Sequence, residues 1–118
     1  MIKIKRIYDL QLKDDGYRIL IDRLWPRGLK KDSAAIDIWL KEIAPSTMLR
    51  KWFNHEPEKW QVFKSRYFEE LTTNDSVQDL LKACENNSVV TLLFATRDLN
   101  YNHALVLKSF LEDEIVNH

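Results

Sequence analysis

Ser88-Val89-Val90-Thr91-Leu92-Leu93-Phe94-Ala95 is the stretch on which the fold turns. From Val89 to Phe94 it is apolar at every position but Thr91, and it is rich in the β-branched and aromatic residues that favour strands. It is too short for a helix. A strand apolar on both faces belongs in the interior of a sheet, so the run predicts a central strand. The segments flanking it read as helices. Before it, Val77, Leu80, Leu81 and Cys84 form one stripe, with Asp75 placed to cap the helix and Asn86-Asn87 placed to end it in the left-handed conformation. After it, from about Asn100, a last helix buries Leu107, Phe110, Leu111 and Ile115. Helix, buried strand, helix is the signature of an α/β fold.

The N-terminal half supplies the other strands. Ile2, Ile4 and Tyr8 alternate with Lys3, Lys5 and Ile7, which predicts a half-exposed strand over Ile2 to Tyr8. A second strand follows over Tyr17 to Trp25, buried at Ile19-Leu20-Ile21 and ended by Pro26 and Gly28. Asp14-Asp15-Gly16 between them has turn chemistry, so the two are expected to form an antiparallel pair. The long stretch before Val89 allows a parallel crossover, and the expected sheet is therefore small and mixed, covered by three to four helices. Ser33 to Ala44 fits either period and leans to a short helix. Ser46 then caps a helix carrying Leu49, Trp52 and Phe53 inward, and Pro57 opens another that runs to about Leu71 on Trp60, Phe63 and Tyr67. No linker or internal repeat divides residues 1–118, which are expected to form one domain.

Composition excludes several classes of function. Lysine plus arginine equals aspartate plus glutamate at eighteen each, so no global field exists to hold nucleic acid, and nucleic acid is not the expected partner. The one cysteine, Cys84, cannot form an internal disulfide, the N-terminus has no apolar signal core, and no apolar run approaches membrane-spanning length. A cytoplasmic protein away from membranes is expected. With two glycines in the chain, neither a P-loop nor a dinucleotide fingerprint can be written. His55-Glu56 lacks the second histidine of a zincin helix, and no metal or cofactor is expected. Cys84 lies in an apolar stripe, where a thiolate is disfavoured.

Three segments carry polar groups suited to chemistry. The first is Asp22-Arg23-Leu24-Trp25-Pro26-Arg27-Gly28, at the end of a buried strand. Ligands of α/β sheets bind outside the carboxyl ends of strands, and guanidinium groups grip carboxylates or phosphates in bidentate fashion. Arg23 and Arg27 are thus candidate ligand-binding residues; the structural alternative ties Arg23 to Asp22 or Asp98. The second is Thr96 to His103, where a helix N-terminus offers free N–H groups and His103 offers a proton donor or acceptor. Asn102 joins the binding set, and Asp98 is the candidate to set the His103 tautomer or anchor Arg23; in the structural alternative, Asp98 or Asn100 simply caps the helix. The third is Arg50-Lys51-Trp52-Phe53-Asn54-His55, a basic and aromatic cluster that suggests, as the alternative function, a surface for nucleic acid or protein. His55 can also reach a cleft from the break before Pro57, whereas a hairpin at Asp14 to Gly16 puts Arg6 at the far edge from Arg23, as a weaker candidate for the same pocket.

Taken in order, Arg6-Ile7-Tyr8, Gly16-Tyr17-Arg18, the run Asp22 to Gly28, Ala44-Pro45-Ser46, Leu49 to Phe53, His55, Trp60 with Phe63, Arg66 and Tyr67, and Asn102-His103-Ala104 resemble the bacterial YeaO-like family, domain of unknown function 488. The resemblance spans nearly the whole chain. It implies a compact α/β fold and a cytoplasmic bacterial protein, but no activity. The wider family tends to begin the last helix with Cys-His-Arg and often ends the preceding strand with cysteine. Here Asn102-His103-Ala104 and Phe94 stand at those positions, so thiol chemistry does not carry over. The expectation is one anion site, of a small-molecule binding protein or an enzyme: Arg23 and Arg27 from the loop after the second strand, with Asn102 and the candidate catalytic residues His103 and Asp98 from the start of the last helix.

Overall fold

The computed structural model describes residues 1–117. Four strands form one sheet: β1 (Ile2–Arg6), β2 (Tyr17–Leu20), β3 (Ile38–Trp39) and β4 (Val90–Phe94), in the order β1-β4-β2-β3. The apolar run is indeed interior. Every residue of β4 is buried, and it pairs with both β1 and β2. All three pairings are parallel, so the expected mixed sheet and antiparallel first pair are corrected.

The reason lies in residues 7–16, which do not turn back as a hairpin. Lys5 Nζ donates to the Leu10 carbonyl and Lys3 Nζ to that of Asp14, so the segment returns along the sheet and β2 starts beside β4 in the same direction as β1. Gly16, at φ 64°, makes the entry into β2, and the Tyr17 N–H donates to the Val89 carbonyl. The return is made by turns rather than by an α-helix: a 3₁₀ turn at Lys13–Asp15 leads into Gly16, and Thr91 Oγ1 donates to the Asp15 carbonyl, tying the connection to β4.

Helices α1 (Thr47–Phe53), α2 (Trp60–Thr72), α3 (Ser76–Asn86) and α4 (His103–Val116) contribute to one core with Ile19, Ile21, Val90, Leu92 and Phe94. The opposite face carries a smaller cluster, in which Ile7, Leu20 and Leu93 meet Trp39 of β3 and Trp25, Leu29 and Ile36 from loops. That face also buries an ion pair: Arg18 and Asp15 are each 3% exposed, and Lys5 Nζ lies 2.8 Å from Asp15 Oδ1.

Two local expectations are also corrected. Residues 33–44 form no α-helix; 3₁₀ turns at Lys31–Ser33 and Lys41–Ile43 flank the short strand β3, whose alternation wins because β2 offers an unpaired edge. Asp75 takes a helical φ and makes no cap bond, while Asn74 Oδ1 accepts from the Ser76 N–H; α3 ends with Asn87 extended rather than left-handed. Ser46 does cap α1, accepting from the Leu49 N–H at 3.1 Å. Among the described residues, no helix is long and apolar enough to cross a membrane.

Candidate functional site

Because β2 and β4 are parallel neighbours, their carboxyl ends open on the same edge of the sheet. The chain leaving β2 turns outward to β3, and the chain leaving β4 turns back into α4, which packs on β1 and β4. Divergent exits of this kind leave a crevice at the switch point. A cleft of about 370 Å³ lies there, lined by the loop Asp22 to Arg27, by Ala44-Pro45, by Arg50, Phe53 and His55 around α1, by Phe63, and by Thr96 and Tyr101 to His103.

Arg23, Arg27, Asn102, His103 and His55 thus share one cleft, together with Arg50 from the basic and aromatic segment. Asp98 and Arg6 are not part of its lining. Asp98 Oδ1 accepts from the backbone N–H groups of Asn100 and Tyr101, and its carbonyl accepts from Asn102 Nδ2. Arg6 does lie at the carboxyl edge, contrary to the hairpin expectation, but its guanidinium donates to the carbonyls of Ala95 and Thr96 and so braces the exit of β4. Buried Asn102 is committed to structure on both sides, since its Oδ1 also caps α4 through the Leu105 N–H.

Asp22, rather than Asp98, stands beside His103. Its Oδ1 is 3.2 Å from His103 Nε2, which is also 3.1 Å from the Ile21 carbonyl. Its Oδ2 accepts from the Ala95 N–H, and its carbonyl accepts from the Trp39 indole. One residue thereby ties the end of β2 to β3, β4 and α4. The sequence offered a signal for it, a carboxylate directly after Ile19-Leu20-Ile21, but that signal reads equally well as an ion pair with Arg23.

Arg23 instead donates to the carbonyls of Ala44 (3.0 Å) and Pro45 (3.4 Å), with Glu42 3.6 Å away. Arg50 donates to Thr47 Oγ1 on its own helix. In both arginines the Nε–H is buried without a hydrogen-bond partner among the described residues. Buried unpaired donors are rare and costly, about 1–3 kcal/mol each. Asn54, at φ 48°, is the left-handed C-cap of α1, and His55 follows it at φ 56°, so the strained residue that reaches the cleft is the histidine. Strain of order 1–3 kcal/mol per residue persists where surrounding structure demands it, and functional sites are enriched in it.

The other half of the basic and aromatic segment does not form a flat stacking surface. The Trp52 ring is flanked by Arg66 at 4.5 Å and Lys59 at 5.0 Å, while Phe53 is buried and stacks on Phe63 at 4.5 Å. Cys84 sits half-buried on α3, outside the cleft, with its thiol pKa pushed up by burial.

Fold and site together define a parallel α/β protein with a cationic cleft at the carboxyl edge of its sheet. The chain belongs to the DUF488 family: the model described as "Inactive DUF488-N3 subclade" matches residues 1–118. It is similar to the uncharacterized protein YeaO of Escherichia coli, 44% identical over 110 residues that cover 93% of this chain and 96% of the relative. It is also 43% identical over 110 residues to an uncharacterized protein of Mycobacterium tuberculosis, covering 93% of this chain and 92% of that one. No solved structure matches the chain.

Proposed function

We propose that this protein binds a small anionic ligand in the cleft between β2 and β4. One observation carries the reading. Three arginines and two histidines line the cleft against the single carboxylate of Asp22, in a chain whose formal net charge is zero. Positive charge gathered in a low-dielectric concavity focuses potential far more than the same charge spread on a surface. Arg23 and Arg50 supply buried Nε–H donors, the exposed Arg27 adds charge, and His103 contributes from the first turn of α4. Carboxylates and phosphates are the groups that such donors recognise.

Binding without turnover is the form of this function that the chemistry favours. The cleft contains no cysteine, and the His103 ring is bonded to the Ile21 carbonyl rather than to a hydroxyl, so among the described residues no activated nucleophile stands beside the His103–Asp22 pair. The description of the matching family model as inactive supports the same reading. The lone cysteine fits a reducing compartment, the cytoplasm.

A thermal-shift titration with inorganic phosphate, sulfate and simple carboxylates tests the proposal. At about a hundred times its dissociation constant, a bound anion adds roughly 2.7 kcal/mol to stability. The expected result is a melting temperature that climbs with at least one anion in the native protein and not in Arg50→Ala. If none of the anions raises the melting temperature above an ionic-strength control, the proposal fails.

A further inference from the structure

We infer that the anionic ligand is amphipathic: a phosphate or carboxylate group joined to an aromatic or apolar ring, rather than a free inorganic anion. This rests on the anion-binding reading and adds the rest of the molecule to it. Besides its charged groups, the cleft is walled by Trp25, Phe53, Phe63 and Tyr101 with Pro26 and Pro45. Its volume of about 370 Å³ falls at the small end of the roughly 300–1,000 Å³ typical of sites for organic molecules. An inorganic tetraoxyanion would leave most of those apolar walls bare.

The aromatic walls are held in place. Phe53 and Phe63 are 6% and 3% exposed and stack at 4.5 Å, giving the cleft a nearly dry side. Half-buried Trp25 is fixed by an edge contact with Trp39 at 5.4 Å and by its indole N–H on the Leu29 carbonyl. Half-buried Tyr101 makes the corresponding edge contact with Trp60, also at 5.4 Å. Rings already immobilised lose little entropy when a planar ligand packs on them, so a ring adds affinity at small ordering cost. With Arg23 and Arg50 contributing to the same cleft, the arrangement suits a ring at one end and an anion at the other.

The test is calorimetric titration of the native protein at fixed salt with inorganic phosphate, phenyl phosphate and phenol, and with the pair acetate and phenylacetate. The expected result is that the ring-bearing member of at least one anion pair binds at least about tenfold more tightly than its bare anion, and that phenol binds more weakly still. In Tyr101→Leu the ratio of ring-bearing to bare-anion affinity should shrink; in Arg50→Ala both affinities should fall. Equal affinity for bare and ring-bearing anions would overturn the inference and leave the anion site standing. Phenol binding as tightly as phenyl phosphate would overturn both, as would no binding of any anion.

Discussion

His103 and Asp22 face each other across the junction of β2 and α4, with Nε2 3.2 Å from Oδ1 and 3.1 Å from the Ile21 carbonyl. A carbonyl can only accept, so Nε2 carries a proton. The contact fixes the tautomer of the one imidazole on α4 that lines the cleft. Because Asp22 Oδ2 accepts from the Ala95 N–H, an amide that keeps this bond turns its NH2 group towards Nε2–H, donor against donor. Asp22→Asn is expected to cost about 1–3 kcal/mol in urea unfolding. A loss below about 0.5 kcal/mol, the range of indifferent surface changes, would remove Asp22 from its role as the junction.

The two glycines should differ sharply. A Cβ on Gly16 would come within 2.3 Å of the Val89 carbonyl oxygen, whereas one on Gly28 meets nothing within 4 Å. Both have positive φ, so alanine at Gly28 costs roughly 1–2 kcal/mol, and at Gly16, whose ψ of −132° lies outside the left-handed helical region, the backbone cost is larger. Gly28→Ala should lose about that much, and Gly16→Ala clearly more, because β2 must move from β4. Equal unfolding midpoints for the two variants would contradict the observed start of β2.

Much of this architecture was legible. The buried run at Val90 to Phe94, the helical stripes of α2 to α4 apart from Ile115, which is exposed, and the Ser46 cap are local signals, and local signals survive folding. The direction of β2 is different in kind. Asp14-Asp15-Gly16 has hairpin chemistry, yet Lys3 and Lys5 hold residues 10 and 14 against the sheet and reverse the chain twice. Within the site, Arg23, Arg27 and His103 could be placed because they follow strand ends or open a helix. Asp22 and Arg50 could not be ranked, since their roles depend on β2 and β4 being parallel and on which carbonyls Arg23 finds.

Acid should weaken the fold through Asp15. Burial raises its pKa, but the Leu12 N–H, Lys5 and Arg18 outweigh that and hold it below the ordinary 3.8. A folded pKa below the unfolded one contributes stability above the unfolded value, and that contribution disappears as pH falls through the folded value. Unfolding free energy should therefore drop as pH is lowered from about 4, and Asp15→Asn should flatten the dependence. At neutral pH this variant should lose about 3–5 kcal/mol, because Arg18 is left buried without its counter-charge. An unchanged acid slope in the variant would assign the acid loss to other carboxylates.

Cys84 should be chemically quiet. Burial pushes its thiol pKa up, and it lies on α3 away from the cleft. Labelling with a disulfide reagent at neutral pH should be much slower than for a free thiol, and Cys84→Ser should bind anions as the native protein does. Loss of anion binding in that variant would place the ligand elsewhere.

In the proposed complex, Arg23 and Arg50 hold the anion with donors left unpaired inside the protein. Arginine side-chain Nε–H resonances followed by NMR during titration with phenyl phosphate examine it most directly. Saturable shifts are expected at Arg23 and Arg50 with a common dissociation constant, while the exposed Arg97, outside the cleft, stays still. Shifts confined to Arg97 and other exposed cations, or no shift at Arg23 and Arg50 at saturation of any binding, would contradict it.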